Sequence, residues 1–142
     1  MRRSLKTILG VTLLEIMLVL AIAAMVVVMS IRYYQSATTN QKVASTLNNI
    51  TAIVAAGENY LAAKGSFDAM SIADITPYMP GNQMPASGWG GAMGITGAGQ
   101  STYQITIPNI PTGPCKQLTA LVKQNGKVTM DGTCANATVT AN

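Results

Sequence analysis

The chain has 142 residues, of which 49% are hydrophobic and 10% are charged, so it has room for one modest domain. Its formal charge is +4, but Arg2, Arg3 and Lys6 supply three of the positive charges, and beyond Gly10 six basic residues stand against five acidic ones. This near-neutral remainder has no basic cluster and no aromatic platform, which argues against specific nucleic-acid binding.

An apolar segment follows the basic N-terminus. Residues 11–31 contain a single charge, Glu15, and as a helix they would measure about 31 Å, enough to cross a bilayer. The segment is too long for the apolar part of a secretory signal, and no small-residue cleavage site ends it. Because the basic residues precede the segment, we expect residues 1–10 in the cytoplasm and the C-terminus outside.

The charge within this segment needs an explanation. Insertion scales put the cost of a carboxylate inside a membrane span at about 2.5–3.5 kcal/mol, so such a residue is a functional hypothesis by default. The alternative is an interfacial Glu15 whose charge reaches the lipid headgroups. The flanking sequence favours the functional hypothesis, because Gly10 stands five positions before the glutamate.

Residues 10–15 read GVTLLE, and this motif resembles the processing site of type IV prepilins. In that family a dedicated peptidase cuts after the glycine on the cytoplasmic face, and a glutamate is the fifth residue of the mature chain. The resemblance implies cleavage between Gly10 and Val11, followed by N-methylation of Val11. The glycine alone would carry no weight, whereas its combination with the spacing, the basic leader and the apolar helix is specific.

The resemblance also implies a role for Glu15. In filaments of this family the new amine of one subunit pairs with the fifth-residue carboxylate of a neighbour, so each charge gains a partner as it loses water. The implied pair joins the Val11 amine to Glu15 of an adjacent copy and fixes their axial register. The implied partners are other copies of the chain in a helical filament, the prepilin peptidase, the pilus assembly machinery and, before assembly, the inner membrane.

A long helix is the first predicted element. No proline precedes Pro77, and we expect helix from about Thr12 to about Ala63, ended by Gly65-Ser66. Beyond the membrane segment the pattern becomes amphipathic, and its apolar face is expected to cover the core of the head. That face comprises Val43, Leu47, Ile50, Val54, Gly57 and Leu61.

The remainder of the chain predicts a small head. A region rich in Gly, Pro and Ser follows up to about Gln100, and its Trp89 is expected to anchor the core locally. A short helix is predicted to begin near Thr112, with Pro in its first turn, and to end near Asn125. Strands are predicted at 103–107, 127–130 and 137–140.

These elements predict an α+β fold, in which a long N-terminal helix packs on a small antiparallel sheet. The predicted division is a leader at 1–10, a transmembrane or filament-core helix at 11–31, and an amphipathic helix with a C-terminal globular head at 32–142. The head is small, so added support for its core is expected.

Two cysteines, Cys115 and Cys134, lie in the last third of the chain. An even count behind an export-type segment favours one disulfide formed outside the cytoplasm, and a pair of buried free thiols is the alternative. Closing a loop of this size contributes about 3 kcal/mol. Because histidine and CxxC spacing are both absent, we expect no metal site and no cofactor.

The order of these head elements extends the resemblance. A strand, a cysteine that opens a short helix and a second cysteine near the C-terminus resemble the type IVb pilin subclass, which includes the bundle-forming and toxin-coregulated pilins. Residues 33–37, YYQSA, are similar to the segment just past the membrane in the bundle-forming kind. This head is shorter than theirs, and its leader is short for the subclass.

The function these features predict is a structural subunit of a type IV pilus, serving adhesion, bundling, motility or DNA uptake. The precursor would lie in the inner membrane and the assembled protein in an extracellular filament. One alternative is a pseudopilin of a type II secretion system, although no acidic calcium-loop pattern lies near the C-terminus; another is a lone bitopic membrane protein. An enzyme is not expected, because histidine is absent and Asp68 and Asp74 have no partner base in the sequence.

Overall fold

The computed structural model describes residues 12–97 and 99–140, and these residues adopt an α+β fold. Its elements in chain order are α1 Leu13–Lys64, α2 Ile72–Ile75, 3₁₀ turns Thr76–Tyr78 and Pro80–Asn82, β1 Gly94–Gly97, β2 Thr102–Thr106, α3 Thr112–Lys123, β3 Val128–Met130 and β4 Asn136–Thr140. Helix α1 has 52 residues, and its later part packs on the antiparallel sheet. The fold class predicted from the sequence is confirmed.

The chain divides into two compact units, Met1–Ala37 and Thr38–Asn142, and the boundary falls within α1. In the first unit, every side chain that the structure describes is exposed. The second unit contains the hydrophobic core, which begins at Val43 and takes in the sheet, α3 and the segments before the sheet.

Both ends of α1 follow from local chemistry. At the start, the Glu15 N–H donates to the Thr12 hydroxyl at 3.2 Å and to the Thr12 carbonyl at 2.9 Å, as at an N-cap. At the end, Gly65 takes a positive φ of 81° and its N–H donates to the Leu61 carbonyl at 2.7 Å. The predicted bounds, about Thr12 to about Ala63, lie within one residue of these ends.

The sheet has the strand order β1-β2-β4-β3, and each neighbouring pair is antiparallel. The register pairs Ile95 with Ile105 and Tyr103 with Val139, so alternate side chains of three strands enter the core. The three strands predicted from the sequence correspond to β2, β3 and β4. Strand β1 is an addition, because glycine at both of its ends conceals the pattern that marks a strand.

The buried face of α1 is broader than the predicted stripe. Leu47 and Leu61, which were expected on that face, are only partly buried, whereas Ile53, Ala56 and Tyr60 are buried without having been included. The stripe widens because one side of the helix meets the sheet and another side meets the loop that contains Gly88. A helix packed on two surfaces needs a wider apolar arc than one packed on a single surface.

Gly57 lets α1 approach the sheet closely. A Cβ at this position would lie 2.6 Å from Tyr103 Oη and 2.9 Å from Cζ, so any larger residue would collide with the ring. The Tyr103 ring is held on another side by Phe67, at a centroid distance of 4.8 Å and an interplanar angle of 61°. The glycine is thus a packing requirement of the helix–sheet contact.

The loop before the sheet is tied to α1 by hydrogen bonds. The Gly88 N–H donates to Thr46 Oγ1 at 2.9 Å, and Asn49 Nδ2 donates to the Ala86 carbonyl at 2.8 Å. Neighbouring Trp89 is partly buried and packs against the core cluster. These bonds satisfy polar groups of a segment that lacks regular structure.

The outer edge of β1 is also occupied. The Gly97 N–H donates to the Met70 carbonyl at 3.0 Å, and the Phe67 N–H donates to the Gln100 carbonyl at 3.1 Å. The segment after α1 therefore covers part of this edge. At the other edge of the sheet, β3 is only three residues long.

Candidate assembly site

The residues singled out in the sequence fall in separate parts of the chain. Gly10 and Val11 lie outside the described residues. Glu15 lies in the first turn of α1, in the first unit. Cys115 and Cys134 lie in the second unit, where they form a disulfide.

Glu15 is an exposed carboxylate on an exposed apolar surface. Its position in the first turn of α1 places the negative charge at the positive end of the helix dipole, a favourable location. Among residues 12–97 and 99–140 the structure contains one ion pair, between Lys127 and Glu58, so Glu15 has no charged partner within this part of the chain. Its charge is available to a group from outside.

The surface around Glu15 is apolar over several turns. Large apolar side chains from Leu13 to Ile31 are between 47% and 80% exposed. By length and composition, α1 is long enough and apolar enough to cross a membrane, and the most apolar part is not buried by the rest of the protein. So large an exposed apolar surface indicates contact with lipid or with other protein. The helix has the properties of a membrane anchor.

Polar residues reappear where this apolar surface ends. Arg32, Tyr33 and Tyr34 are all exposed, with Tyr33 at 79% and Tyr34 at 69%. Arginine and tyrosine are common where a helix leaves the hydrocarbon, because each combines an apolar stem or ring with a polar tip. Sequence reasoning gave these residues no individual role.

The disulfide joins α3 to the turn before β4. The Cα atoms of Cys115 and Cys134 are 5.7 Å apart, and both residues are buried. The Thr119 hydroxyl lies 3.3 Å from the Cys134 sulfur, and Cys134 takes a positive φ of 58°. The link joins the first turn of α3 to an irregular turn, which is also held by hydrogen bonds to the Asp131 carboxylate.

A cavity that the sequence did not indicate lies between α1 and the sheet. It has a volume of about 250 Å³, and the ion pair between Lys127 Nζ and Glu58 Oε1, at 2.7 Å, is part of its lining. Tyr103 also lines it, but its buried hydroxyl has no hydrogen-bond partner among the described residues. Burial, and then the nearby charge of Glu58, raise the pKa of Tyr103. No local signal could have found these contacts, because their residues are far apart in the chain.

The acidic residues of the head have structural partners. The Ser71 hydroxyl and the Ser71 N–H bond to Asp74 and hold the pKa of this carboxyl below its ordinary value, as in the capping of a short helix. At Asp131, desolvation opposes ionisation, but N–H groups and the Thr133 hydroxyl outweigh it and lower the pKa. Within residues 12–97 and 99–140, no group of three or more His, Cys, Asp or Glu could hold a metal ion.

Comparison of the chain with protein-family models, with curated proteins and with solved structures finds no match.

Proposed function

We propose that the chain is a structural subunit of a type IV pilus-like filament, made as a precursor in the inner membrane and assembled through the start of α1. The observation that supports this most strongly is the position of Glu15. This carboxylate lies in the first turn of α1, and the large apolar side chains of the next turns, as far as Ile31, are exposed. The prepilin-like motif at 10–15 supplies the reason for that carboxylate, since cleavage before Val11 would create a cation close by.

The two units suit different tasks on this proposal. The exposed apolar helix of the first unit occupies the membrane before assembly and the filament core afterwards. The second unit has its own hydrophobic core and a disulfide, which are the properties of a head that must stay folded outside the cell. The α+β fold with a long N-terminal helix is compatible with a pilin-like architecture.

A shear assay tests the proposal. Cells making the full chain are sheared, the released filaments are imaged, and the amount of this chain in the sheared and membrane fractions is measured. We expect filaments in which this chain is the repeating protein. If the chain remains entirely in the membrane with residues 1–10 attached, it is a lone bitopic protein instead. If it is processed but forms filaments only alongside an active secretion machine, it is a pseudopilin.

A further inference from the structure

Two charged side chains lie in the described part of the first unit, Glu15 and Arg32. Both are exposed, and within residues 12–37 the structure contains no ion pair. The other polar side chain between them belongs to Ser30, whose hydroxyl is satisfied by the Val26 carbonyl at 2.8 Å. When this surface is covered by apolar helices in an assembly, each of the two charges needs a partner of opposite sign.

One helix cannot pair its own two charges. Glu15 and Arg32 are separated by 17 positions, which corresponds to about 25 Å along the axis and about 100° around it. The two groups have opposite charges, however, so Glu15 of one copy can pair with Arg32 of another copy. We therefore expect a second copy of the chain to cover the exposed surface of α1 that carries these charges.

We propose that Arg32 of one subunit pairs with Glu15 of a second, parallel subunit that is shifted by about 25 Å along the helix axis. This pairing rests on the proposed function, because it requires many copies with their first units side by side. It assigns Arg32 a role in setting the order of subunits, in addition to the pairing of Glu15 with a processed N-terminus.

A parallel and open arrangement follows from the positions of the charges. The basic leader orients every copy in the same direction in the membrane, which excludes an antiparallel pair. Because Glu15 and Arg32 lie on different faces of α1, a subunit that receives one neighbour at Glu15 meets another neighbour at Arg32. Such a contact is heterologous and extends into a filament when the rotation does not close.

The surface beside Arg32 can receive an apolar helix. A shallow groove of about 410 Å³ runs along this face, lined by Arg32 and four apolar residues, Ala24, Met25, Val28 and Met29. Ala24 leaves space for a neighbouring backbone or side chain, and methionine adapts its shape to what it contacts. A second helix lying there would cover the apolar stem of Arg32 and leave the guanidinium for a carboxylate.

The pairing is compatible with a second partner at Glu15. A carboxylate accepts hydrogen bonds at two oxygens, and the planar guanidinium donates from a fixed fork. Glu15 can therefore accept from the Val11 amine of one neighbour and from Arg32 of another. The two partners come from different distances along the axis, so together they would define the register more strictly than either would alone.

Cysteine crosslinking measures the shift directly. When Glu15 faces Arg32, Val19 faces Ser36, one helical turn further along both helices. We expect the V19C/S36C chain to form a ladder of crosslinked copies on oxidation. A matched control, V19C/M29C, has the wrong spacing and is expected to crosslink weakly. Within one helix Val19 and Ser36 are about 25 Å apart, so a bond between them joins two copies.

Charge substitutions test whether Arg32 acts through Glu15. We expect Arg32→Gln to lower filament yield about tenfold, as the loss of one member of a buried pair would, and Arg32→Lys to retain most of it. In a Glu15→Gln background, Arg32→Gln should cause no further loss. A loss that is equally large with and without Glu15 would mean that Arg32 contacts lipid phosphate, and it would overturn the pairing.

Crosslinking in both the membrane and the sheared fractions separates this pairing from the proposed function. Filaments without V19C/S36C crosslinks would overturn the pairing and leave the proposed function standing. V19C/S36C crosslinks in cells that release no filaments would support the pairing and overturn the proposed function. The absence of both would overturn both.

Discussion

Three residues occupy unusual positions in the structure, namely Glu15, Gly57 and Tyr103. Glu15 is a carboxylate on an exposed apolar surface. Gly57 lies against the Tyr103 ring, and the Tyr103 hydroxyl is buried without a partner among the described residues. An unpaired carboxylate on an apolar surface and a buried hydroxyl without a partner are each energetically unfavourable, so other interactions must compensate for them.

Replacing Glu15 by Ala is expected to impair assembly and to leave the subunit otherwise intact. The variant should insert slightly more easily, because a charge is removed from an apolar helix, and it should fold and form its disulfide as before. Filament yield should fall about tenfold, since the partner cation is left without a carboxylate. The yield is measured as the ratio of sheared to membrane-bound subunit.

Ser30→Ala is the control for this substitution, because the Ser30 hydroxyl bonds to its own helix and should not take part in assembly. Normal filament yield from the Glu15→Ala variant, at normal subunit levels, would make Glu15 a bystander and remove the basis for axial registration.

Gly57→Ala is expected to destabilise the head by about 1–3 kcal/mol, because the added methyl overlaps the Tyr103 ring, which is buried and packs against Phe67. Gly113→Ala is the control, since a Cβ at that position of α3 has no atom within 4 Å. Thermal unfolding of the detergent-solubilised chain, followed by circular dichroism, gives both values. Equal stability of the two variants would mean that Tyr103 can be displaced without cost.

Tyr103→Phe is expected to stabilise the head by about 1 kcal/mol, because it removes a buried hydroxyl that has no partner in the described structure. The substitution should also remove a pH effect. Burial raises the folded-state pKa of Tyr103 above the unfolded value of about 10, so the unfolded chain ionises first as the pH rises.

The free energy of unfolding of the wild-type chain should therefore be unaffected by Tyr103 ionisation below about pH 10 and should fall as the pH rises above that value. Urea unfolding between pH 8 and pH 11 compares the wild type with Tyr103→Phe, and Tyr33→Phe serves as an exposed control. An identical alkaline loss in all three proteins would assign the effect to other groups.

At the scale of elements, one covalent link joins α3 to the turn before β4. The turn contains Cys134, which has a positive φ and is fully buried. Hydrogen bonds within the turn also hold it, among them the one from the Cys134 N–H to the Asp131 carbonyl at 3.1 Å and the one from the Thr133 hydroxyl to the Asp131 carboxylate. The disulfide therefore does part of the work that a larger core would do in a longer head.

Replacing Cys115 and Cys134 together by Ser is expected to lower stability by about 3 kcal/mol, because the unfolded chain regains the freedom of the closed loop. The exported wild type should react with an alkylating reagent only after unfolding and reduction. Labelling of both thiols without a reductant would show that the bond does not form in cells. Replacing both cysteines by Ala separates loss of the bond from the cost of burying two hydroxyls.

The sequence identified elements where one strong pattern governs a continuous stretch. Helix α1 was predicted to within one residue at each end, because no proline interrupts it and Gly65 ends it. Strand β1 was missed because Gly94 and Gly97 carry no side chain that would reveal alternation.

Contacts between distant segments were beyond the reach of such patterns. The Lys127–Glu58 ion pair and the hydrogen bond from Gly88 to Thr46 join residues that local spacing cannot relate. In the candidate site, Glu15 was identified because a charge stands out in an apolar run. Arg32 did not stand out, because it falls where that run ends.

At the scale of the whole molecule, the proposed function requires that residues 1–10 be removed before the chain is assembled. We expect the mature protein to begin at Val11 with a methylated amine, and intact-mass measurement of filament protein checks this. Gly10→Ala is expected to be tolerated, whereas a bulky or charged residue at this position should leave the precursor in the membrane. A filament protein whose mass retains residues 1–10 would contradict the prediction.

The two edges of the sheet have a consequence for heads that would lie close together in the proposed filament. An open strand edge invites pairing with the edge of another copy, which is the first step of amyloid-type aggregation. Here the Gly97 N–H is bonded to Met70, and the opposite edge strand is only three residues long, so neither edge offers a long template. On the proposed function, heads that lie close together in a filament would have little opportunity to pair through their strands, so that polymerisation would depend on α1.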